Sequence, residues 1–416
     1  MMKKINKYSF GIGDRFAHQG VAQLQAFIKA REAGVTITPV WNKSNREHLT
    51  VNSSPKDVRK EADEAVKALN WQSDYLVDAD HINLNNVDPF LEVSDFFTID
   101  VAEYIGKAAA PDDIAAFVEE NQDHLGEFSI PGIATSFSVD KDQLTKIAGK
   151  FLAATQEAKK IYDYIAGKKG ADNFITEVSM DEVNEPQSPV ELYFILQLLA
   201  KNGVPVQTIA PKFTGQFYKG VDYQGNLEQF AKEFEEDILV LKYAVQKYNL
   251  PDTLKLSVHS GSDKFSIYKT IREILQKHDA GIHIKTAGTT WLEEIAALAE
   301  TGEEGLQLAK KVYEEALERY DELTAPYATV LAIQKDKLPA TDEVATWSGP
   351  QFASALRHDQ HNPQYNPSFR QLIHCSYKIA GKKGTAFTDA LEQNSELIGK
   401  HVTQNLWERH IKPVFI

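Results

Sequence analysis

The sequence predicts an α/β fold: a (β/α)8 TIM barrel with a helical insertion after the fourth strand and a helical C-terminal extension. Three observations carry this. Eight short runs, most of them rich in Val, Ile, Thr and Phe, follow one another, most opening after Gly, Asp or Pro. Helical patterns separate most of these runs, which is the alternation of a parallel barrel. Nearly every run ends in an ionisable residue, and the C-terminal ends of the strands are where such a barrel carries its chemistry.

The elements follow in order. YSFGIGD (8–14) reads as the first strand, and VAQLQAFIKAREAG (21–34) as a helix stopped by a glycine. VTITPVW (35–41) is the second strand, followed by a helix over 54–70 that opens on Ser-Pro. DYLVDAD (74–80) and DFFTID (95–100) are the third and fourth strands. The insertion, about 101–170, reads as extra helices covering one barrel mouth. ADNFITEVSMD (171–181) is the fifth strand, and a helix over 188–203 repeats the Ser-Pro start and glycine stop. PVQTIAPKF (205–213), LKLSVHS (254–260) and GIHIKTA (281–287) complete the barrel, with amphipathic helices over 226–249 and 264–278 between them. The expected organisation is one domain over 1–416, with a barrel core at about 8–300 and an extension at about 301–416.

Composition narrows the function. The chain has 416 residues, 43% hydrophobic and 25% charged, which fits a globular enzyme. A net charge of −14 argues against nucleic acid and anionic membranes as partners. Cys375 is the one cysteine, so neither an internal disulfide nor a cysteine zinc cluster can form. The opening MMKKINKYSF lacks the apolar core of a secretion signal, and no run approaches 18 apolar residues. The expectation is a cytoplasmic protein acting on a small molecule, with a homo-oligomer allowed.

The strand ends supply the site list. They offer Asp14 and Arg15, then Asp78, Asp80 and His81, Asp100, then Glu177, Asp181 and Glu182, Lys212, then His259, Asp263 and Lys264, and finally His283 and Lys285. A single Asp after a strand is commonly a helix cap, and a single His is commonly a packing residue. Glu177, His259 and His283 together point to a divalent metal bound by two histidines and one or two carboxylates. That donor set suits Zn, Mn, Ni or Fe and leaves positions open for substrate oxygens. His358 and His361 form a lesser pair in a proline-flanked loop. GSDKFSIYK (261–269) could bind an anion at a helix start, or be ordinary capping by Ser262 or Asp263. GIGDRF has two of the three glycines of a dinucleotide fingerprint, and no Walker A, G-x-S-x-G or H-E-x-x-H string occurs.

GIGDRF, DADH, FTID, EVSMDE with SPVE, KGVDYQGNLEQF, SVHSGSDKFSIY, HIKTAGT and RQLIHCSY, in that order, resemble the tagaturonate epimerase family. The likeness runs from about residue 8 to the C-terminus. It implies a metal-dependent isomerase of hexuronate catabolism that interconverts D-tagaturonate and D-fructuronate, with relatives acting on tagatose and fructose. It implies Glu177, His259 and His283 as metal residues and places Asp80 and Lys285 on further family positions. Where the family tends to have an arginine after the sixth strand, this chain has Lys212.

The carbon to be inverted lies β to the ketone, so enolisation cannot reach its C–H bond. Two routes remain: a transient oxidation, for which the chain shows no convincing nicotinamide site, and a retro-aldol cleavage with re-addition, which is the expected one. Direct proton exchange at that carbon is a third, less favoured on acidity grounds. Asp80 and Lys285 are the candidates to move the hydroxyl proton, with Asp181 able to substitute. Asp14, Arg15, His81, Lys212 and Lys264 are the candidates to bind substrate. Two other readings stay open: a metal-dependent aldose–ketose isomerase or sugar 3-epimerase, and a carbohydrate-binding protein without catalysis.

Overall fold

A computed structural model describes residues 2–286 and 289–416. All eight expected strands form, and they close into one parallel barrel in sequence order. They are β1 (Tyr8–Ile12), β2 (Thr38–Ser44), β3 (Leu76–Ile82), β4 (Phe96–Asp100), β5 (Ile175–Ser179), β6 (Thr208–Ala210), β7 (Lys255–His259) and β8 (Ile282–Lys285). The final residue of the predicted eighth strand, Ala287, lies outside the described residues. β8 pairs with β1 through Ser9–His283 and Gly11–Lys285, which completes the ring.

Helix starts follow their local chemistry. Ser54 and Ser188 each head a capping box, with Asp57 and Glu191 three residues on and Pro in the first turn. β2 differs from expectation: it runs three residues further, to Ser44, which opens the helix Asn45–Val51 through a capping box with Glu47.

Period-two alternation sorts the side chains. Ile5, Val40, Leu76, Phe96 and Ile175 form a small apolar cluster that plugs the lower barrel. Above it the interior turns polar, with Ser9, Asp78, Thr98, Glu177, Thr208, Ser257 and His283 all buried. The outward strand residues join the surrounding helices in the main core.

The insertion carries the helices Pro111–Glu120 and Lys141–Lys169 and a hairpin, Gly126–Phe128 with Phe137–Val139. It does not cover a mouth. Phe128 packs on Tyr193, with ring centroids 5.3 Å apart, and Phe117 on Phe194 at 5.7 Å, so the insertion lies against the outer side of the helix Pro189–Lys201. The C-terminal extension covers the mouth instead. Lys219 N–H donates to the Val330 carbonyl at 2.9 Å, and Arg370 Nε donates to the Gly220 carbonyl at 2.6 Å. The extension has a hydrophobic core of its own, around Trp291, Tyr313, Phe352 and Phe369. The chain then returns to the barrel: Phe415 packs on Tyr8 and Phe10, and the stretch from Asn405 fills the helical ring between the helices Gly20–Glu32 and Phe265–His278. Among the described residues no helix is long and apolar enough to cross a membrane.

Candidate active site

The site begins with an irregularity in β3. The register shifts between Ala79 and Ile82, and His81 adopts a left-handed backbone with φ of 51°. Simple alternation would send Asp80 inward and His81 outward. The bulge instead lets both side chains point into the mouth, where His81 Nδ1 meets Asp80 Oδ1 at 2.9 Å. A non-glycine residue in this conformation costs energy, which a functional position can justify.

Across the mouth, β7 ends in His259 and the segment after β5 brings Asp181. His259 Nε2 bonds Glu177 Oε1 at 2.8 Å. Its other nitrogen, Nδ1, faces Asp181 Oδ2 at 3.2 Å, and His81 Nε2 faces Asp181 Oδ1 at 3.6 Å. Both of these facing nitrogens are buried without a hydrogen bond. Each imidazole is therefore anchored by a carboxylate on one nitrogen and offers the other to a shared point beside Asp181. Donors around one metal with bonds near 2.1 Å sit about 3.0–3.5 Å apart, so this spacing suits an ion. The arrangement also reproduces the carboxylate–histidine pairing that orients metal ligands. Among the described residues, His81, Asp181 and His259 are the one group of three such donors within 4.8 Å of one another.

The electrostatics agree with that geometry. Burial opposes charge on His81, yet Asp80 and Asp181 hold its pKa well above the usual value. Burial likewise opposes charge on His259, and Asp181 and Glu177 raise it to about 9. Burial would raise the Asp181 pKa, but His259 and His81 hold it well below the carboxylate range. The raised histidines and lowered Asp181 show that the cluster favours positive charge, which a dication would also supply.

The expected trio of Glu177, His259 and His283 is arranged differently. All three point into the barrel, but His283 lies below the mouth, with Nδ1 2.9 Å from Ser9 Oγ and its ring 5.2 Å from that of Phe96. Burial brings its pKa down to about 3, so it is a neutral ring. Glu177 is fully buried; Thr208 Oγ1 donates to it at 2.7 Å and Lys285 Nζ lies 3.0 Å from it.

Lys285 is the hub of the polar interior. Its Nζ donates to Asp78 Oδ2 at 2.7 Å and Asp80 Oδ1 at 2.9 Å. Gly11 on the neighbouring strand makes room for it, since a Cβ there would lie 3.0 Å from Lys285 Cγ. Burial opposes the charge, but Asp78, Asp80 and Glu177 raise its pKa well above the ordinary value. With three carboxylates within 3.0 Å, the charged form of Lys285 is favoured. Asp78 pays for this crowding: burial lifts it to about 7 against the pull of Lys285. Asp80 goes the other way, held well below its usual value by Lys285 and His81 despite burial.

Several expected substrate residues are engaged elsewhere. Asp14 accepts the backbone N–H groups of Phe16, His18 and Gln19, so it organises the loop after β1. Lys264 is completely buried and donates to the Tyr218 and Val221 carbonyls at 3.0 and 2.8 Å, so it ties two loops together. The helix start behind it is capped by Asp222, to which Ser266 N–H donates at 3.2 Å, so this expected anion position is filled. His358 binds Asp263 at 3.0 Å while His361 is exposed, so that pair does not converge. Asp100 caps Ala102 N–H at 2.9 Å. The Lys212 side chain makes no ion pair among the described residues. Arg15 does face the mouth, held by Glu47 at 2.9 Å.

Sequence reasoning missed two cations on the same side, Arg46 and Lys219. Both lie over the Tyr327 ring, at 5.1 and 5.3 Å from its centroid. The S-x-x-E spacing of Ser44 and Glu47 was the available signal for the short helix that carries Arg46.

Comparison with known proteins bears on family and fold. A tagaturonate/fructuronate epimerase of Thermotoga maritima is 28% identical over 421 residues, covering 97% of this chain and 80% of that protein. A glycerol-complexed crystal structure of fructuronate-tagaturonate epimerase from Cohnella laeviribosi superposes with a TM-score of 0.82 at 23% identity, covering 99% of this chain and 82% of that one. The native crystal structure of the same Cohnella protein gives 0.79 with the same identity and coverage. The tagaturonate epimerase family model matches residues 1–413. With nearly its whole length inside that match, the chain belongs to the tagaturonate epimerase family and is an isomerase.

Proposed function

We propose that this chain interconverts D-tagaturonate and D-fructuronate in a metal-dependent reaction that breaks and remakes a carbon–carbon bond. The observation that carries this is the meeting of His81, Asp181 and His259 with the Lys285–Asp80 pair at the barrel mouth. The three donors are open enough to reach substrate, at 21, 22 and 7% side-chain exposure, whereas Glu177 is at 0%. His81, Asp181 and His259 would hold the ion, and Asp80 and Glu177 would orient the two rings. When bound, the ion would supply Lewis acidity to the ketone and its neighbouring hydroxyl.

The remaining work falls to side chains. Asp80 accepts the proton of the β-hydroxyl as the bond between the α and β carbons breaks. The electron pair moves onto the α carbon and its ketone, giving an enediolate, and the β carbon becomes an aldehyde. Lys285, its charged form favoured by Asp78, Asp80 and Glu177, faces the negative charge that develops and favours the ionised form of Asp80. The aldehyde rotates, the enediolate attacks its other face, and Asp80 returns the proton. No external oxidant or reductant is consumed. Arg15 remains in place to meet an anionic substrate.

The test is direct. Purified protein incubated with D-tagaturonate should yield D-fructuronate by 13C NMR. Treatment with a chelator should stop the reaction, and one of Zn, Mn, Ni or Fe should restore it. Turnover that persists at full rate after verified metal removal would refute the metal role.

A further inference from the structure

A net charge of −14 makes any gathering of free cations on this chain informative. One lies where the extension meets the barrel mouth. Arg46, from the short helix after β2, stands over one ring, Tyr327, and Lys219, from the loop after β6, stands over the same ring. Tyr327 Oη lies 3.0 Å from Tyr377 Oη, and the Tyr377 ring receives Arg15 at 5.0 Å. Two tyrosines of the extension thus align three cations from three barrel loops.

These charges are under-used. Arg46 and Lys219 make no side-chain hydrogen bond or ion pair among the described residues. Arg15 is 5% exposed, and only its Nη2 is paired, to Glu47, leaving Nε and Nη1 buried without partners. Burying unsatisfied guanidinium N–H groups is costly, so Arg15 is expected to be completed by a ligand, which exposed Arg46 and half-buried Lys219 can reach. Glu47 is already bound to Ser44 N–H and Arg15, and Glu182 is the other carboxylate acting on Arg46 and Lys219. Among the described residues neither carboxylate forms an ion pair with Arg46 or Lys219, so both cations stay open to a further negative charge. Arg15 also feels Asp80, so the cationic patch adjoins the proposed proton acceptor.

We propose that Arg46 and Lys219, with Arg15 behind them, form the seat of the substrate's carboxylate, and that Tyr327 and Tyr377 of the C-terminal extension hold that seat in place. The extension then sets the preference for a keto-uronate over a neutral ketose. This rests on the epimerase reading above, since it names the end of the same substrate that the extension would grip.

The experiment compares wild type with Arg46→Ala, Lys219→Met and Lys212→Ala. It measures kinetics on D-tagaturonate and on D-tagatose, and calorimetric binding of D-galactonate, a hexonate that lacks the ketone. Loss of one charge-assisted contact should raise the KM for D-tagaturonate and the Kd for D-galactonate about 10- to 100-fold, with kcat changed by less than about threefold. The kcat/KM ratio of uronate to neutral ketose should fall by a similar factor, and Arg46→Lys should recover part of it. The proposal is overturned if KM and Kd stay within about twofold of wild type in both variants. It is equally overturned if uronate and neutral ketose lose activity in parallel, or if Lys212→Ala alone weakens binding. A wild type that binds D-galactonate through Arg46 and Lys219 but never inverts a uronate would sink the epimerase reading and leave the seat standing.

Discussion

His259 gives its Nε2 to Glu177 at 2.8 Å and leaves Nδ1 unbonded, 3.2 Å from Asp181. The ring is thus fixed from behind and open in front, so in the proposed metal site Glu177 would orient the ring and Asp181 would be the co-ligand. His81→Ala and His259→Ala should each lose the bound ion, seen as near-zero metal by mass spectrometry after dialysis. Glu177→Gln should weaken metal affinity about 10- to 100-fold without abolishing it. His283→Gln should keep the ion, because His283 faces Ser9 and Phe96 below the mouth. Metal loss in His283→Gln with retention in His81→Ala would reverse the assignment.

Gly11 is where the barrel yields space to Lys285. Gly11→Ala puts a methyl 3.0 Å from Lys285 Cγ and 3.2 Å from its Cα. The lysine must shift and its bonds to Asp78 and Asp80 must lengthen. Stability should drop by about 1–3 kcal/mol, as in other overpacked interiors, and kcat should fall more than KM rises. Wild-type kcat in this variant would show that the position of Lys285 is not critical.

Asp263 joins barrel to extension. Arg370 Nη2 donates to it at 2.6 Å, His358 lies at 3.0 Å and His410 at 3.2 Å, all buried. Burial opposes its charge, but Arg370 and the histidines hold its pKa well below the ordinary range. Arg370→Met leaves a buried carboxylate without its main counter-charge, a change that costs about 3–5 kcal/mol in comparable sites. Urea unfolding should show the midpoint fall by a matching amount. A shift below about 1 kcal/mol would mean the extension is held by its apolar core alone.

Acid should destabilise the fold through buried neutral histidines. Burial, with help from Lys43, lowers His48 from 6.5 to about 3. Below pH 6.5 the unfolded chain takes up a proton that the native chain refuses until about pH 3. Unfolded protein therefore binds more protons across that window, and stability falls as pH drops through it. His48→Asn should flatten this acid limb by about one proton in a plot of stability against pH. An unchanged slope would place the acid sensitivity elsewhere.

The barrel was legible because its strands are compact Val, Ile, Thr and Phe runs with clear punctuation, and all eight formed near their expected places. Asp80, His81, Asp181, His259 and Lys285 were reachable because strand ends converge on one mouth. Their partnerships were not. DADH read by alternation faces His81 outward, and only the left-handed turn at that residue brings it in. Asp14 and Lys264 look like strand-end ligands in sequence, yet backbone N–H and carbonyl groups of nearby loops consume them. Nothing in a one-dimensional pattern says whether a charge will meet substrate or backbone. Arg46 and Lys219 escaped notice because their common partner, Tyr327, lies more than a hundred residues further along the chain.

The most direct test of the proposed chemistry is the fate of hydrogen at the inverted carbon. D-Tagaturonate is converted in D2O and the D-fructuronate formed is read by 1H and 13C NMR. Cleavage between the α and β carbons never removes that hydrogen, which leaves and returns with the aldehyde fragment. The account predicts product carrying protium there, and substrate deuterated at that carbon keeping its label in H2O through many turnovers. Solvent deuterium at the inverted carbon in each product would contradict the carbon–carbon cleavage assigned to Asp80 and Lys285.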